Sequence, residues 1–279
     1  MNKIVIVFCG LGALMLSSCW GNKTSGTEMP ADSVAVASDT VASDTLEQLV
    51  SEAPMPKAAD ELFDDFFFNF AANRKLQRQR IAFPLPVTRG GHTENITKDK
   101  WKTETFFMHQ GYYTLIFNNR RQMERVKDTT VSHVVVKKMF LKSDGIKEYV
   151  FDRKNGLWMM TAINNTYIAR NNNASFLNFY KRFAADPEFQ VASIDETVKF
   201  IGPDPDDDFA TMEGILTPDT WPAFAPELPH ETIYNIQYGD DYPASNFKIF
   251  LLRGISNGFE TELTFQRKSG GWKVTSLIQ

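Results

Sequence analysis

The chain has 279 residues, of which 43% are hydrophobic and 13% aromatic, and its formal net charge at pH 7 is −4. This length and apolar content suffice for one or two domains with substantial cores. The mild negative charge predicts no nucleic-acid partner, because such proteins present clustered basic surfaces. Both cysteines, Cys9 and Cys19, lie near the N-terminus. The folded part is therefore predicted to contain no disulfide, no thiolate metal site and no cysteine nucleophile.

Residues 1–18 are predicted to be a secretion signal that is removed from the mature protein. They begin with a single basic residue and continue as an apolar run of about a dozen residues. The run is too short to cross a bilayer, which needs ~20 apolar residues. Leu16-Ser17-Ser18-Cys19 resembles the bacterial lipobox, which predicts that Cys19 carries acyl chains and anchors the protein to a membrane. The alternative is an ordinary signal peptide followed by an incidental cysteine.

Residues 19–58 are predicted to be a flexible, lipidated tether. They are rich in Ser, Thr, Ala, Asp and Pro, and they contain no aromatic residue after Trp20. Such a segment buries too little apolar surface to offset the entropy of ordering it. A flexible coil of this length has a root-mean-square reach of roughly 35 Å, so the tether would hold the folded part away from the lipid surface.

The remaining residues repeat one pattern, which predicts two homologous units: a first copy at 59–170 and a second copy at 171–279. A helical face of aromatic residues returns 113 positions later, and its members are Phe63, Phe66, Phe67 and Phe70, then Phe176, Phe179, Tyr180 and Phe183. Near the end of each copy, Phe151 and Trp158 correspond to Phe265 and Trp272. Because the order is kept and the offsets drift only between 113 and 121, chance similarity is excluded.

Each copy is predicted to be an α+β domain in which an N-terminal helix covers an antiparallel sheet. The aromatic spacing at the start of each copy is that of one helical face. Farther along, apolar residues between Phe259 and Phe265 alternate with polar ones, as in a strand with one buried face. Asp144-Gly145, Asn155-Gly156 and Asn257-Gly258 predict hairpin turns, since these pairs tolerate the positive φ angles of such turns.

The chain resembles a family of uncharacterised lipoproteins from gut Gram-negative bacteria. The run from Leu76 to Leu85 and the endings Trp158–Thr161 and Trp272–Thr275 carry the resemblance, which covers residues ~59–279. It implies two tandem NTF2-like domains, that is, cystatin-like cones in which the N-terminal helix packs on a strongly curved sheet. The second copy departs from the pattern at Asp195-Glu196-Thr197. The family supplies no activity that can be transferred to this chain.

The tether contains three segments that resemble the Asp-Ser/Thr-apolar acceptor motif of an O-glycosylation system in this group of bacteria. The acceptors would be Ser33, Thr40 and Thr45. The alternative is coincidence, because any linker rich in Ser, Asp and Val contains some matches to so short a motif.

The common catalytic and metal-binding motifs are absent from the sequence. It has no Gly-rich phosphate loop, no His-Glu-x-x-His helix and no Gly-x-Ser-x-Gly elbow, and we predict neither a cofactor nor a metal. Asp204, Asp206 and Asp208 could begin a calcium loop, but Phe209 stands where such a loop needs glycine. A solvated acidic loop is the simpler interpretation.

A histidine and a tyrosine recur at an offset of 121, as His109 and Tyr113 in the first copy and His230 and Tyr234 in the second. If each pair lies on a strand, alternation places both side chains on one face, where an NTF2-like cone would hold its pocket. The first copy is the better candidate, since Gly111 between His109 and Tyr113 would leave room for a ligand.

Histidine is the commonest general base, so a catalytic site would use His109 and Tyr113, with Asp99 as a possible carboxylate. Trp101 and Trp221 would line the two pockets. The alternative interpretation assigns all these residues to the scaffold, because residues that recur in both copies include those that both copies need in order to fold.

The sequence favours a lipid-anchored cell-envelope protein, facing the periplasm, that binds a small molecule or another envelope protein and has no identifiable catalysis. One alternative is an NTF2-like isomerase or hydrolase that uses the His/Tyr pocket, and another is a structural envelope component. An enclosed cavity with convergent polar groups would favour small-molecule binding or catalysis, whereas a filled cone would favour protein interaction.

Overall fold

The computed structural model describes residues 57–204, 206–255 and 257–279, all within one compact unit. The predicted lipidation site Cys19 and the predicted glycosylation sites Ser33, Thr40 and Thr45 lie outside the described residues, so both modifications stay predictions. Within the described part of the chain, no helix combines the length and the apolar character that a membrane span requires.

The described residues form five α-helices and twelve β-strands, with helices much the smaller share. The helices are α1 (Phe63–Ala72), α2 (Arg74–Gln79), α3 (Arg120–Met123), α4 (Ala174–Phe183) and α5 (Pro187–Ala192). The strands of the first copy are β1 (Leu85–Arg89), β2 (His92–Ile96), β3 (Tyr112–Phe117), β4 (His133–Phe140), β5 (Gly145–Lys154) and β6 (Leu157–Tyr167). Those of the second copy are β7 (Ile194–Asp204), β8 (Asp207–Leu216), β9 (Thr232–Tyr238), β10 (Phe247–Gly254), β11 (Glu260–Lys268) and β12 (Gly271–Ile278).

Local sequence explains where these elements begin and end. The Asn73 side chain accepts hydrogen bonds from the backbone N–H groups of Lys75 and Leu76, both at 2.9 Å, and so caps the start of α2. Asp186, 113 positions later, caps α5 in the same way. Asn155 and Gly156 join β5 to β6 with φ angles of 52° and 80°, the positive values predicted for this turn.

All twelve strands form one sheet, in the order β2-β1-β6-β5-β4-β9-β3-β10-β11-β12-β7-β8. The third strand of each copy lies in the other copy's half of the sheet. β9 pairs with β4 and β3 pairs with β10, both antiparallel, while β3 and β9 meet in parallel at the centre. The two copies are thus interlocked by an exchange of strands, and the predicted α+β architecture takes the form of a single large sheet.

Two hydrophobic cores lie against this sheet, and each contains side chains from both copies. The first core surrounds α1 and includes Tyr234, Ile236 and Tyr238 of β9. The second core surrounds α4 and includes Ile116 of β3 and Met139 of β4. The predicted boundary near residue 171 therefore separates the two copies along the chain. The sheet nevertheless continues across both copies, and each core contains side chains from both sides of this boundary.

Because the copies share strands and cores, we expect the fold to unfold in one transition. Phe66→Ala removes a fully buried ring from the first core and should lower the free energy of unfolding by ~3–5 kcal/mol. Phe179 aligns with Phe66 in the second copy but is only partly buried, so Phe176→Ala, which removes a fully buried ring from the second core, is the comparable variant. Urea titration read by hydrogen exchange of peptides from β5 and β11 should give one shared midpoint for each variant.

The fully exposed Phe209 supplies the control, and Phe209→Ala should leave the midpoint unchanged. If the copies fold independently, β5 of the Phe66→Ala variant will lose its protection from hydrogen exchange at a lower urea concentration than in the wild type, while β11 keeps the wild-type midpoint.

Candidate functional site

The structure does not assemble the predicted catalytic group. His109 is exposed in a series of turns that precedes β3, which begins only at Tyr112. Strand alternation therefore does not relate His109 to Tyr113, and the common face expected for them does not exist. Gly111 is an exposed turn residue with a φ angle of 70°. Asp99 is also exposed, and a hydrogen bond from the Thr97 side chain holds its pKa below the usual value.

The two predicted pocket tyrosines, Tyr113 and Tyr234, lie together inside the first core. The ring of Phe107 stacks on Tyr113 at a centroid distance of 5.1 Å and meets the ring of Tyr234 edge-on at 5.5 Å. Burial raises the pKa of both phenols. They are protonated aromatic core residues, and neither faces a solvent-filled pocket with a histidine.

Strand pairing also corrects the alignment of the third strands. β4 and β10 correspond at an offset of 114, as Val135 and Ile249 show. Val135 pairs with Gln237 of β9, and Ile249 pairs with Phe117 of β3. The third strands therefore correspond at an offset of 120, one residue less than the sequence suggested. Since a shift of one residue moves a side chain to the other face of a sheet, Tyr113 and Tyr234 are not equivalent residues.

The two tryptophans predicted to line pockets are also core residues. Trp221 is fully buried, and its indole N–H donates a hydrogen bond to the side-chain oxygen of Gln190 at 3.0 Å. Trp101 is 5% exposed and meets the ring of Phe83 edge-on at 6.4 Å. Trp101 belongs to the first core and Trp221 to the second.

Aromatic rings fill the space beneath each long helix. Phe151 of β5 contacts the four aromatic side chains of the α1 face at centroid distances of 5.3–6.0 Å, and these are Phe63, Phe66, Phe67 and Phe70. Phe265 of β11 contacts three rings of the α4 face at 5.1–5.8 Å, and these are Phe176, Phe179 and Phe183. The interior position where a cone would hold a ligand is thus occupied by side chains in both halves.

A groove of about 800 Å³ opens on the surface where the third strands begin. Its lining comes from the residues before and at the start of β3, the loop before β9, β10 and the β10–β11 connection. The lining residues are Gln110, Tyr112, Glu227, Leu228, Pro229, His230, Glu231, Thr232, Leu252 and Phe259. His230 is the predicted site residue that the structure places in this groove.

The groove combines carboxylates with aromatic surface. Burial and the negative charge of Glu227 raise the pKa of Tyr112, so its hydroxyl group stays protonated. Glu231 forms an exposed ion pair with Lys142 at 2.5 Å. Phe259 is 46% exposed, and His230 makes no hydrogen bond within the described residues. These groups can bind a cationic or apolar surface, but they do not form a connected acid–base pair.

Sequence reasoning missed a partly buried carboxylate, Asp64 on α1. The Tyr238 hydroxyl group donates a hydrogen bond to Asp64 Oδ1 at 2.5 Å, which links α1 of the first copy to β9 of the second. Burial raises the Asp64 pKa to about 6, although the Tyr238 hydrogen bond and the charge of Arg253 lower it. The sequence did contain a signal, because the equivalent residue 113 positions later is Leu177, which is fully buried.

A second missed group is Lys248, which lies within the apolar run of β10 and is 1% exposed. Its amino group donates hydrogen bonds to the side-chain oxygens of Asn118 and Asn173, and burial lowers its pKa to about 8. Because Asn118 belongs to the first copy, this contact joins the copies at the start of α4.

Asp64→Asn should make the protein more stable at neutral pH. The pKa of Asp64 is higher in the folded state, about 6, than the usual 3.8, so its contribution to stability falls as pH rises from 4 through 6. Asparagine mimics the protonated carboxyl group and removes this loss, worth roughly 2–3 kcal/mol by the shift in pKa. Urea unfolding should show the variant more stable at pH 7.5, and this difference should fall to roughly a third at pH 4.5, where Asp64 is protonated in the folded state but still largely ionised in the unfolded chain.

Asp65→Asn tests the neighbouring, exposed carboxylate of the same helix and should show no such pH-dependent difference. If Asp64→Asn and wild type differ by the same amount at both pH values, burial does not raise the pKa of Asp64.

Comparison with known proteins identifies the family. A crystal structure of an NTF2-like protein from Bacteroides fragilis NCTC 9343 is similar to this chain, with 42% identity and a TM-score of 0.74, covering 81% of this chain and 98% of that one. Among curated proteins, none matches the chain. Residues 42–279 match the family described as "Domain of unknown function (DUF4348)". The resemblance to an uncharacterised NTF2-like family is thereby confirmed, and the chain belongs to the DUF4348 family.

Proposed function

We propose that this protein is a lipid-anchored binding protein of the cell envelope, which holds a partner protein in its surface groove and catalyses no reaction. The observation that carries the proposal is the filling of both cores by aromatic rings. Ligand binding in an NTF2-like cone needs a cavity between helix and sheet, and that space is occupied here by Phe151, Phe265 and the helix faces they contact. Binding is therefore assigned to the outer surface.

The positions of the titratable groups support binding over catalysis. General acid–base chemistry needs a donor and an acceptor within hydrogen-bond reach of the same reacting group. Tyr113 is buried in the core, while Asp99 and His109 are exposed in separate turns. The residues that the isomerase or hydrolase alternative requires are thus not arranged to act on one substrate.

The chemistry of the groove indicates the kind of partner it accepts. Glu227 forms no ion pair within the described residues, and it lies beside the partly buried ring of Tyr112. A lysine or arginine side chain can pair with such a carboxylate while its alkyl stem covers an aromatic ring. We therefore assign to the groove a protein segment that carries a basic residue next to apolar ones.

The anchor and the twofold repeat complete the proposal. The lipobox-like segment that ends at Cys19 supports attachment to the envelope, facing the periplasm, and residues 20–58 would carry the folded part some distance from the lipid. The equivalent order of strands in residues 59–170 and 171–279 supports two NTF2-like copies that act as one interlocked scaffold.

Cys19→Ala should abolish fatty-acid labelling in cells and move the protein from the membrane to the soluble fraction. The reason is that no other cysteine follows the signal. The measurement is metabolic labelling with a clickable fatty acid, followed by fractionation. Cys9→Ala is the matched control and should leave both results unchanged. Persistent labelling of the Cys19→Ala protein would rule out this anchor.

A photo-crosslinking residue in place of Phe259 should trap the partner in the groove. Leu157 is the matched control, because its side chain is 45% exposed against 46% for Phe259, and it lies at the start of β6 in the other half of the sheet. We expect a discrete protein adduct from position 259 and none from position 157. Adding Glu227→Lys should reduce the adduct severalfold, because it places a positive charge opposite the partner's basic residue.

Two results would contradict the groove assignment. One is an identical set of adducts from positions 259 and 157, which indicates random collision. The other is a full-strength adduct at position 259 in the presence of Glu227→Lys, which shows that the groove carboxylate plays no part in recognition.

A further inference from the structure

The sheet ends in two outer strands, β2 and β8, and they differ in a way that bears on interaction. β2 has five residues, and its side chains from His92 to Asn95 are polar and exposed. β8 has ten residues and exposes Phe209 fully and Ile215 to 69%. Natural proteins protect edge strands by keeping them short, charged or interrupted by proline. β2 is short and polar, whereas β8 is long and exposes two large apolar side chains, although it also carries acidic residues.

The outer side of β8 is free to pair. β7 occupies one side of β8, and no strand lies on the other side within the described residues. The β8 sequence contains neither lysine nor proline, the residues that most often block strand addition. Ile215 lies in the regularly paired part of β8, and Phe209 lies nearer the hairpin, beyond a register shift between Pro203 and Asp204. An added strand would find unpaired backbone groups together with two apolar contacts.

The charge of the β7–β8 hairpin indicates the sign of the partner's charge. Among the described residues, Asp204 and Asp207 accept hydrogen bonds only from nearby backbone N–H groups, those of Asp206 and Phe209, at 2.9 and 3.0 Å. Farther along β8, Glu213 forms an exposed ion pair with Lys199 at 3.5 Å. In the part of the chain that the structure describes, the carboxylates of Asp204 and Asp207 thus have no cationic partner and lie beside an unpaired strand, and a basic segment complements both features.

We infer that β8 binds an extended basic segment of a partner protein, which joins the sheet as a thirteenth strand. Lysine or arginine side chains of this segment contact the acidic hairpin, and apolar side chains at alternate positions contact Phe209 and Ile215. Main-chain hydrogen bonds supply affinity and the alternating side chains supply specificity, as in other complexes formed by strand addition.

The same charges argue against the predicted tether as the occupant, since residues 20–56 contain six acidic residues and one basic residue. The β8 edge is moreover separate from the groove, because three strands lie between β10 and β8 and adjacent strands are ~4.8 Å apart.

The test uses the mature chain in detergent and a fluorescent eleven-residue peptide of alternating lysine and valine. A second peptide of the same sequence carries N-methyl groups on alternate amides, which preserves its charge but removes hydrogen-bond donors from one edge. Fluorescence anisotropy should show saturable binding of the first peptide and at least about tenfold weaker binding of the second. Hydrogen exchange should show increased protection of residues 207–216 when the first peptide is bound.

Variants assign the binding to the β8 edge. Phe209→Lys combined with Ile215→Lys should weaken the peptide by at least about tenfold, since it adds repulsion and removes both apolar contacts. Both side chains are exposed, so the fold is preserved. Glu94→Lys makes a similar change on the outer strand β2 and should leave peptide affinity unchanged.

Several results would overturn the inference. Equal binding of the two peptides would show attraction by charge alone, and unchanged protection of β8 would place the peptide elsewhere. Concentration-dependent dimerisation that protects residues 207–216 would assign the edge to a second copy. Because crosslinking at Phe259 reports the groove and these variants report β8, failure of one proposal is distinguishable from failure of the other.

Discussion

β3 and β9 meet in parallel at the centre of the sheet, and the continuity of the whole fold depends on this junction. The two strands share a single residue pair, Thr114 and Asn235, whereas all other neighbouring strands in the described sheet share three or more. Hydrogen bonds from side chains join β3 and β9 where further backbone pairing is missing. The Thr114 hydroxyl group donates to the Tyr234 carbonyl oxygen, and Asn235 Oδ1 accepts from the Ile116 backbone N–H at 2.7 Å. Both side chains are almost completely buried, so loss of either leaves an unpaired backbone group at a cost of ~1–3 kcal/mol.

The exchange of strands explains why the protein has two filled interiors and a surface groove. Each core receives aromatic or branched side chains from both copies, and the ring pairs around Phe151 and Phe265 leave the helices in direct contact with the sheet. The residues before the third strands must cross from one half of the sheet to the other. The groove lies at this crossing, which is why its lining combines Tyr112 of the first copy with residues 227–232 of the second.

Much of the fold is predictable from the sequence, because it follows from local pattern. The aromatic faces of α1 and α4 and the turn at Asn155-Gly156 each depend on residues close together in the chain. The alternation in β11 predicted one buried face, whereas the structure buries every residue from Thr261 to Phe265. The strand exchange is not predictable in this way, since β3 and β9 have the same local pattern whichever neighbour they pair with. The alignment of Tyr113 with Tyr234 was wrong by one residue. It matched two identical residue types, whereas the true correspondence follows from the strand register, which the sequence does not contain. Asp64 could have been found, because a carboxylate aligned with the core residue Leu177 indicates burial.

The strand exchange also sets the order in which the chain can acquire its structure. The first half of the sheet ends at β4 until β9 is added, and β9 lies more than sixty residues beyond the last strand of the first copy. As the chain emerges from a ribosome or a translocation channel, the edge of β4 stays unpaired, and α1 lacks the contact between Phe63 and Tyr238, until residue 238 is available. Contacts between residues so far apart in sequence form late, because the loop must close before they contribute. Export in an unfolded state, as the N-terminal signal predicts, is thus compatible with a fold that cannot close on its first half alone.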